Sequence, residues 1–150
     1  MRPDIRPRVF LDSNVIFSGL YSSSGAPASI LNNYVEGKLR LVVSQQVLEE
    51  VVRTINRKLP SALTSLRKLL VSAPPEIVGD PSSEDIARWI NILGTEDASV
   101  LAAAIMAQPD YLIAGDKRFF DNPDIAKKSG LRVVTPAQFL KRWGKDTALS

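Results

Sequence analysis

Short apolar runs alternate along the chain with longer segments of helical period, and this alternation restricts the fold more than any other feature. The clearest runs are residues 9–11, 39–43, 111–114 and 131–134. Each is too short for a helix and apolar enough for a buried strand. Strands that alternate with helices form parallel sheets covered by helices. We therefore predict one α/β domain of three layers, α/β/α, with a mainly parallel sheet of about four to five strands.

Two of the helices are well marked in the sequence. The strongest helical period spans residues 45–59 and follows Ser44, a residue suited to cap a helix. Another helix is predicted to begin just after Gly94, with Thr95 as its cap. We expect this helix to be buried and closely packed, because residues 100–106 are small and apolar on nearly every face.

The predicted domain spans residues 8–143. Residues 1–7 are charged, carry prolines and precede no long apolar segment, so we expect a flexible lead-in and not a signal peptide. Residues 144–150 are expected to form a C-terminal tail. Any strand within residues 72–78 should be short or at a sheet edge, since this segment contains adjacent prolines. The lack of a run of 18 apolar residues predicts no membrane span, and we expect a cytoplasmic location.

The amino-acid composition limits the chemistry that the chain can perform. It contains no histidine and no cysteine, which excludes Ser-His-Asp and Cys-His triads and zinc sites built on imidazole or thiolate. A metal site must therefore use oxygen ligands, which favours magnesium, manganese or calcium. The net charge of +3, from 19 basic and 16 acidic residues, is compatible with a polyanionic partner. It is equally typical of a solvated basic surface.

Acidic residues follow two of the predicted strands. Asp12 comes directly after residues 9–11, and Asp116 follows residues 111–114 with one glycine between. The C-terminal ends of parallel strands meet at one rim of the sheet, where α/β proteins bind ligands. We therefore expect the two carboxylates to lie close together.

Two further acids lie on predicted helices. Asp97 is in the first turn of the helix after Gly94. Glu49 and Glu50 lie in the helix after the second strand, and hydrophobic periodicity does not choose between them. Every acid also has a purely structural explanation. The strand-end acids suit helix caps and turns, and the helix acids, with Glu96, suit a solvated face or the positive end of a helix dipole.

Taken together, these acids in a chain without histidine or cysteine predict a magnesium or manganese site. Carboxylates gathered at one place repel one another, and a hard divalent cation relieves that repulsion. The cation can also position and deprotonate a water molecule that attacks a phosphodiester. Lys117 and Arg118 directly follow Asp116 and are candidate phosphate-binding residues, although a basic pair after a turn is more often only solvated.

Five segments of the chain, in this order, resemble the PIN domain. They are residues 9–15 (Val-Phe-Leu-Asp-Ser-Asn-Val), the helix start at 44–51, Glu-Asp-Ala at 96–98 running into 101–104, Tyr-Leu-Ile-Ala-Gly-Asp at 111–116, and Val-Thr-Pro-Ala-Gln-Phe-Leu at 134–140. More narrowly, the chain is similar to the toxin components of bacterial and archaeal toxin–antitoxin systems, the VapC-like ribonucleases. The resemblance covers about residues 8–142.

The resemblance implies a PIN-like fold and a metal-dependent endoribonuclease that hydrolyses RNA phosphodiester bonds with Mg²⁺ or Mn²⁺. Carried over to this sequence, it gives four catalytic and metal-binding acids and two polar neighbours of the first acid: Asp12, Glu50, Asp97 and Asp116, with Ser13 and Asn14. Glu50 is preferred to Glu49 only by this resemblance, because it directly precedes Val51. The resemblance also implies an RNA substrate, a cognate antitoxin as protein partner, and a homodimer.

Three positions depart from the family pattern. Ser13 stands where threonine is usual, and Ala114 stands where a threonine or serine often precedes Gly-Asp. Arg118 stands where many members have a further acid. The last two departures leave open the number of metal ions and the strength of catalysis.

Two other functions fit part of the pattern. The first is a catalytically weak or inactive PIN-like module that binds RNA or protein, which Arg118 leaves open. The second is a receiver-type signalling module, which also places acids and a lysine at the C-terminal rim of a parallel sheet. Against the receiver, the first strand lacks paired acids, and no isolated acid ends the strand at residues 39–43. Phosphate uptake from a small phosphodonor would identify a receiver, and RNA cleavage would identify a nuclease.

Overall fold

A five-stranded sheet lies at the centre of the computed structural model, which describes residues 4–148. The strands are β1 (Arg8–Leu11), β2 (Arg40–Ser44), β3 (Glu76–Val78), β4 (Tyr111–Ile113) and β5 (Val133–Val134). Their order across the sheet is β3-β2-β1-β4-β5, and every neighbouring pair is parallel. The prediction of an α/β domain with a mainly parallel sheet of four to five strands is therefore confirmed.

Helices cover both faces of this sheet. They are α1 (Ser13–Tyr21), α2 (Ala26–Val35), α3 (Gln45–Lys58), α4 (Leu63–Ser72), α5 (Ser83–Ala107), α6 (Arg118–Asp121), α7 (Asp124–Ser129) and α8 (Pro136–Ala148). Val9, Phe10 and Leu11 of β1 are each at most 1% exposed. Because successive side chains of a strand point to opposite faces, both faces of β1 must be covered, which gives the predicted three layers.

The strand order places a crevice between β1 and β4. The chain runs outward from β1 through β2 to β3, then crosses back to β4 on the other side of β1 and ends at β5. Leu11 pairs with Ile113, and the N–H of Asp12 donates to the carbonyl of Ile113 at 3.2 Å. In open α/β sheets, ligands bind outside the carboxyl ends of the strands where the order reverses. Asp12 and Asp116 follow the two strands at this point.

Side-chain caps fix the helices that begin at this rim. Asp12 Oδ1 accepts a hydrogen bond from the N–H of Val15 at 2.9 Å and begins α1. Ser44 Oγ accepts from the N–H of Val47 at 3.2 Å and begins α3, as predicted. Because these caps satisfy N–H groups that the first helical turn leaves free, they hold the start of each helix against its strand.

The C-terminal end of the predicted domain differs from expectation. Residues 4–7 form no helix or strand, and residues 1–3 lie outside the described part of the chain. Helix α8 continues to Ala148, well into the segment 144–150 that was expected to be a tail, of which residues 149–150 are outside the description. The edge strand β3 is three residues long, in agreement with the prediction from its neighbouring prolines.

Helix α5 is bent at Gly94, whose φ of 78° and ψ of 168° are not helical. The bend divides α5 into a first limb, residues 83–93, and a second limb, residues 95–107, which is the helix predicted after Gly94. Two details of that prediction are wrong. Thr95 makes no side-chain hydrogen bond within residues 4–148, and Met106 is 50% exposed, because the buried face of the limb turns away from it.

By length and composition, α5 is apolar enough to cross a membrane, and half of its most apolar window is buried inside the protein. A membrane span needs about 20 continuous helical residues. The bend leaves two limbs that are each shorter than this. The second limb carries an unbroken buried run from Ala98 to Ala104 in the core. These features are those of a core helix.

Candidate metal centre

All four acids predicted from the sequence line one pocket at the crevice between β1 and β4. These are Asp12, Glu50, Asp97 and Asp116, and the predicted neighbours Ser13 and Asn14 line the same pocket. The cavity has a volume of about 80 Å³. Residues that are as much as 104 positions apart in the sequence are thus brought to one small acidic cavity.

Asp12 is the most deeply placed of these acids and is only 4% exposed. The backbone N–H groups of Val15 and Gly115 donate to its carboxylate, so that it caps α1 and faces the crevice at the same time. The pKa of Asp12 is raised to about 6, chiefly by burial. The two hydrogen bonds lower this pKa, and the charges of Asp116 and Glu50 raise it. The structural and functional explanations of Asp12 are therefore compatible.

Asp97 stands at the start of the second limb of α5 and is largely buried, with a side chain 18% exposed. Burial raises the pKa of Asp97 to about 7. The negative charge of Asp116, and a hydrogen bond between the two carboxyl groups, act in the same direction, while the positive charge of Arg118 opposes them. Asp97 and Asp116 are therefore closely spaced, and the negative charge of Asp116 disfavours ionisation of Asp97.

Arg118 reaches into the pocket from the start of α6. Its Nη1 lies 3.7 Å from Asp97 Oδ2 and donates to the carbonyl of Leu93 at 3.2 Å. Its backbone N–H donates to Asp116 Oδ1 at 2.9 Å. Arg118 thus bridges the two carboxylates, with its backbone on one and its guanidinium beside the other. Asp97 Oδ2 is buried and has no hydrogen-bond partner in the described residues, since 3.7 Å is too long for one.

The structure separates the two glutamates that periodicity left undecided. Glu50 is half-buried and lines the pocket, where its charge acts on Asp12. Glu49 is exposed, and its only described side-chain contact is a 3.5 Å hydrogen bond from Gln45 Nε2. The geometry therefore favours Glu50, in agreement with the family pattern.

Two pocket residues were not predicted, and one predicted residue is not in the pocket. Glu96 and Val100 also line the cavity. The position of Glu96 beside Asp97, in the first turn of the same limb, is the signal that would have indicated it. Lys117 is exposed and is not among the lining residues. Ala114 is fully buried in the sheet and leaves no hydroxyl at this place near Asp116.

The chemistry of the pocket fits a divalent cation, although its side chains do not already form a cage. No three acidic side chains among residues 4–144, whose side chains the structure describes, stand close enough to hold a metal ion as they are. The donors, however, are all oxygens, two carboxyl groups have a raised pKa, and one buried carboxylate oxygen lacks a partner. A hard cation would compensate for each of these features, because it favours the ionised acids and accepts oxygen lone pairs.

Two larger cavities lie elsewhere and lack this chemistry. One, of about 390 Å³, is at the opposite rim of the sheet and is lined by residues that include Tyr34, Arg40 and Glu76. The other, of about 520 Å³, lies beside the ends of α1 and α3 and is lined by residues that include Tyr21 and Lys58. Because neither gathers several carboxylates, charge and donor type identify the acidic pocket, and cavity size does not.

The chain matches a known protein family. The family model described as "PIN domain" matches residues 8–118, well over half of the chain. The matched segment begins with β1 and ends at Arg118, so it contains all four acids. No curated protein sequence matches the chain significantly.

Solved structures share the fold at low sequence identity. The crystal structure of PAE2754 from Pyrobaculum aerophilum is 16% identical, with a TM-score of 0.60, over 90% of this chain and 88% of that one. VapBC2 from Rickettsia felis, solved with a DNA fragment from its promoter, is 16% identical, with a TM-score of 0.56, over 84% of this chain and 96% of that one. At this identity the two likenesses concern the fold alone.

Proposed function

The chain belongs to the PIN domain family, and we propose that it is a metal-dependent endoribonuclease that hydrolyses RNA phosphodiester bonds. PIN domains are typically nucleases and generally use divalent metals. The observation that carries the proposal is the convergence of Asp12, Glu50, Asp97 and Asp116 on one cavity where the strand order reverses. A chain without histidine or cysteine has few other means of hydrolysing a phosphodiester.

The four acids are proposed to hold Mg²⁺ or Mn²⁺, with Asp12 as the fixed point. The carboxylate of Asp12 is oriented by two backbone N–H groups and cannot turn away without uncapping α1. A bound ion would supply positive charge for the phosphate oxygens and lower the pKa of a water molecule. A bound cation would favour the ionised form of Asp97, whose pKa is raised to about 7 by burial and by the charge of Asp116.

RNA is proposed to approach the mouth of the pocket. Asn14 is exposed there and carries amide N–H donors for phosphate oxygens, while Ser13 is buried beside Asp12. Lys117, exposed next to Asp116, is proposed to attract the backbone of the substrate from outside the cavity. The overall charge of +3 supports such an approach weakly.

The direct test is cleavage of a structured, end-labelled RNA by the purified chain. We expect cleavage with Mg²⁺ or Mn²⁺ and none with EDTA. Asp12→Asn and Asp97→Asn should each abolish it, whereas Asp85→Asn, the same substitution on an exposed part of α5, should not. Circular dichroism of every variant would verify folding. Cleavage that persists in EDTA, or in both pocket variants, would contradict the proposal.

In the cell, we propose that this activity is that of a cytoplasmic toxin restrained by a cognate antitoxin. The support is the likeness of fold to VapBC2, whose name denotes a pair and whose structure contains promoter DNA. Induced expression of the chain should stop growth, and Asp12→Asn should relieve this. Co-expression of a small protein encoded beside the gene should also relieve it and should co-purify with the chain. Growth unaffected by the active chain would argue against the toxin role.

A second candidate is a PIN-like module that binds RNA or protein without cleavage. The observation that favours it is Arg118, which pairs with Asp97 inside the pocket, together with the lack of a preformed metal cage in the described residues. The two functions differ in one measurement. Binding of labelled RNA without metal-dependent cleavage, under conditions where the protein binds Mn²⁺, would support the second.

A further inference from the structure

The guanidinium of Arg118 is a permanent positive charge inside an acidic pocket. Its Nη1 lies 3.7 Å from Asp97 Oδ2, which is the distance of an ion pair without a hydrogen bond. The arginine side chain is 63% exposed, so that water reaches the pair from one side. An arginine cannot lose its proton in a protein, and it has no lone pair with which to bind a metal. At this position it can only act as a cation or move away.

Two hydrogen bonds hold Arg118 in place. Its backbone N–H donates to Asp116 Oδ1 at 2.9 Å, and Nη1 donates to the carbonyl of Leu93 at 3.2 Å. The guanidinium also lies close to Gly94, where an added Cβ atom would be 3.3 Å from Nη1, so a larger residue there would crowd it. The φ of 78° at Gly94 bends α5 and turns the Leu93 carbonyl end of the first limb toward the guanidinium. The bend and the arginine are therefore parts of one arrangement.

The position of Arg118 limits where a second divalent ion could bind. The five acids that line the pocket carry −5 when all are ionised, and Arg118 brings this to −4. Two divalent ions would balance that charge, but an ion on the Asp97 side of the pocket would lie beside a guanidinium. Two-metal sites hold their ions about 3.5–4 Å apart. In this cavity of about 80 Å³, Arg118 borders the space beside Asp97, so a second ion at that spacing would lie close to the guanidinium.

We propose that the Arg118 guanidinium takes the place of a second metal ion, so that the pocket binds a single divalent cation. Arg118 also weakens the binding of that cation to Asp97. This inference rests on the proposed function only in requiring that the pocket binds a divalent ion. Arg118 is a specificity-determining residue in this account: it sets the number of ions and the affinity for the first.

Calorimetric titration of Mn²⁺ into the full chain tests this inference without reference to cleavage. The native chain should bind one equivalent. Arg118→Gln should bind Mn²⁺ about 30-fold more tightly, because the repulsion between a guanidinium and a divalent ion about 4 Å apart is worth ~2 kcal/mol at a solvated site. Arg118→Asp, which adds a ligand as well as removing the cation, should bind a second equivalent. Arg118→Lys keeps the charge and should bind one equivalent.

The matched control is Arg67→Gln, which removes an exposed arginine on α4 outside the pocket and should leave both affinity and stoichiometry unchanged. Two equivalents bound by the native chain would overturn the inference. So would unchanged binding in both Arg118→Gln and Arg118→Asp, and in that case intact RNA cleavage would leave the proposed function standing. If no variant bound Mn²⁺, the inference and the proposed function would both fall.

Discussion

The metal-free protein is expected to become less stable as the pH rises from 5 to 8, and Asp97 is the main cause. Its pKa is raised from an ordinary 3.8 to about 7 by burial and by the charge of Asp116. Between pH 3.8 and pH 7, the two pKa values, the folded chain binds a proton at Asp97 that the unfolded chain has released. The free energy of unfolding therefore falls as the pH rises through this window and levels off above pH 7.

The magnitude follows from the same values. Each pH unit within the window costs about 1.4 kcal/mol, so the change between pH 5 and pH 8 is about 3 kcal/mol at most, and access of water to the pocket reduces it to ~2 kcal/mol. For a chain of this size, 2–3 kcal/mol corresponds to a decrease in Tm of roughly 5–10 °C. Asp12, whose pKa is raised to about 6, acts in the same direction. The lowered pKa of Glu76 affects stability only below this range.

Urea denaturation followed by circular dichroism, in EDTA at pH 5 and pH 8, measures this difference. Asp97→Asn should remove most of the loss at pH 8, because an amide carries no charge at either pH. Asp85→Asn, an exposed substitution on the same helix, should retain the full pH dependence. Saturating Mn²⁺ should restore the stability of the native chain at pH 8 by ~3 kcal/mol at 100 times Kd. A native chain that is equally stable at both pH values, or an Asp97→Asn variant with the native pH dependence, would refute the reasoning.

Three further predictions test separate parts of the site. Asp12→Asn should keep the cap of α1, since an amide oxygen can accept the hydrogen bond from the N–H of Val15. Asp12→Ala should be less stable than Asp12→Asn by about 1 kcal/mol in urea denaturation. Equal stabilities of the two variants would argue against a capping role. Glu50→Gln should weaken Mn²⁺ binding roughly 10- to 100-fold in calorimetry and Glu49→Gln should not, and equal effects would contradict the assignment. Gly94→Ala should cost about 1–3 kcal/mol, because the φ of 78° and ψ of 168° suit glycine only, and an unchanged melting temperature would exclude this strain.

The features that could be predicted from the sequence are those with a local pattern. The apolar run of β1 is buried on both faces, as expected of a central parallel strand, which needs no alternation of apolar and polar residues. Once the strands are known to be parallel, Asp12 and Asp116 must lie at the same rim, and both line the pocket. Ser44 was predicted as the cap of α3 from its type and position alone, and the structure confirms it.

The features that could not be predicted depend on contacts between distant residues. A guanidinium that lies against Gly94 and the Leu93 carbonyl follows from the path of α5 and from one side-chain conformation of Arg118, neither of which has a signal in sequence spacing. For the same reason, periodicity did not separate Glu50 from Glu49, since both flank the buried stripe of α3. Met106 shows that an apolar pattern can also predict too much burial. It was expected to be buried and is exposed, because an apolar residue at a helix end need not be buried.

The central claim is that the acidic pocket binds the metal ion with which the chain cleaves RNA. Its most direct test is a titration of Mn²⁺ into the protein with labelled RNA, in which bound metal and cleavage are followed in the same samples. The account predicts that both saturate at the same Mn²⁺ concentration and that both disappear in the folded Asp12→Asn/Asp97→Asn double variant. Cleavage that continues in the double variant, or Mn²⁺ binding that survives there undiminished, would contradict it.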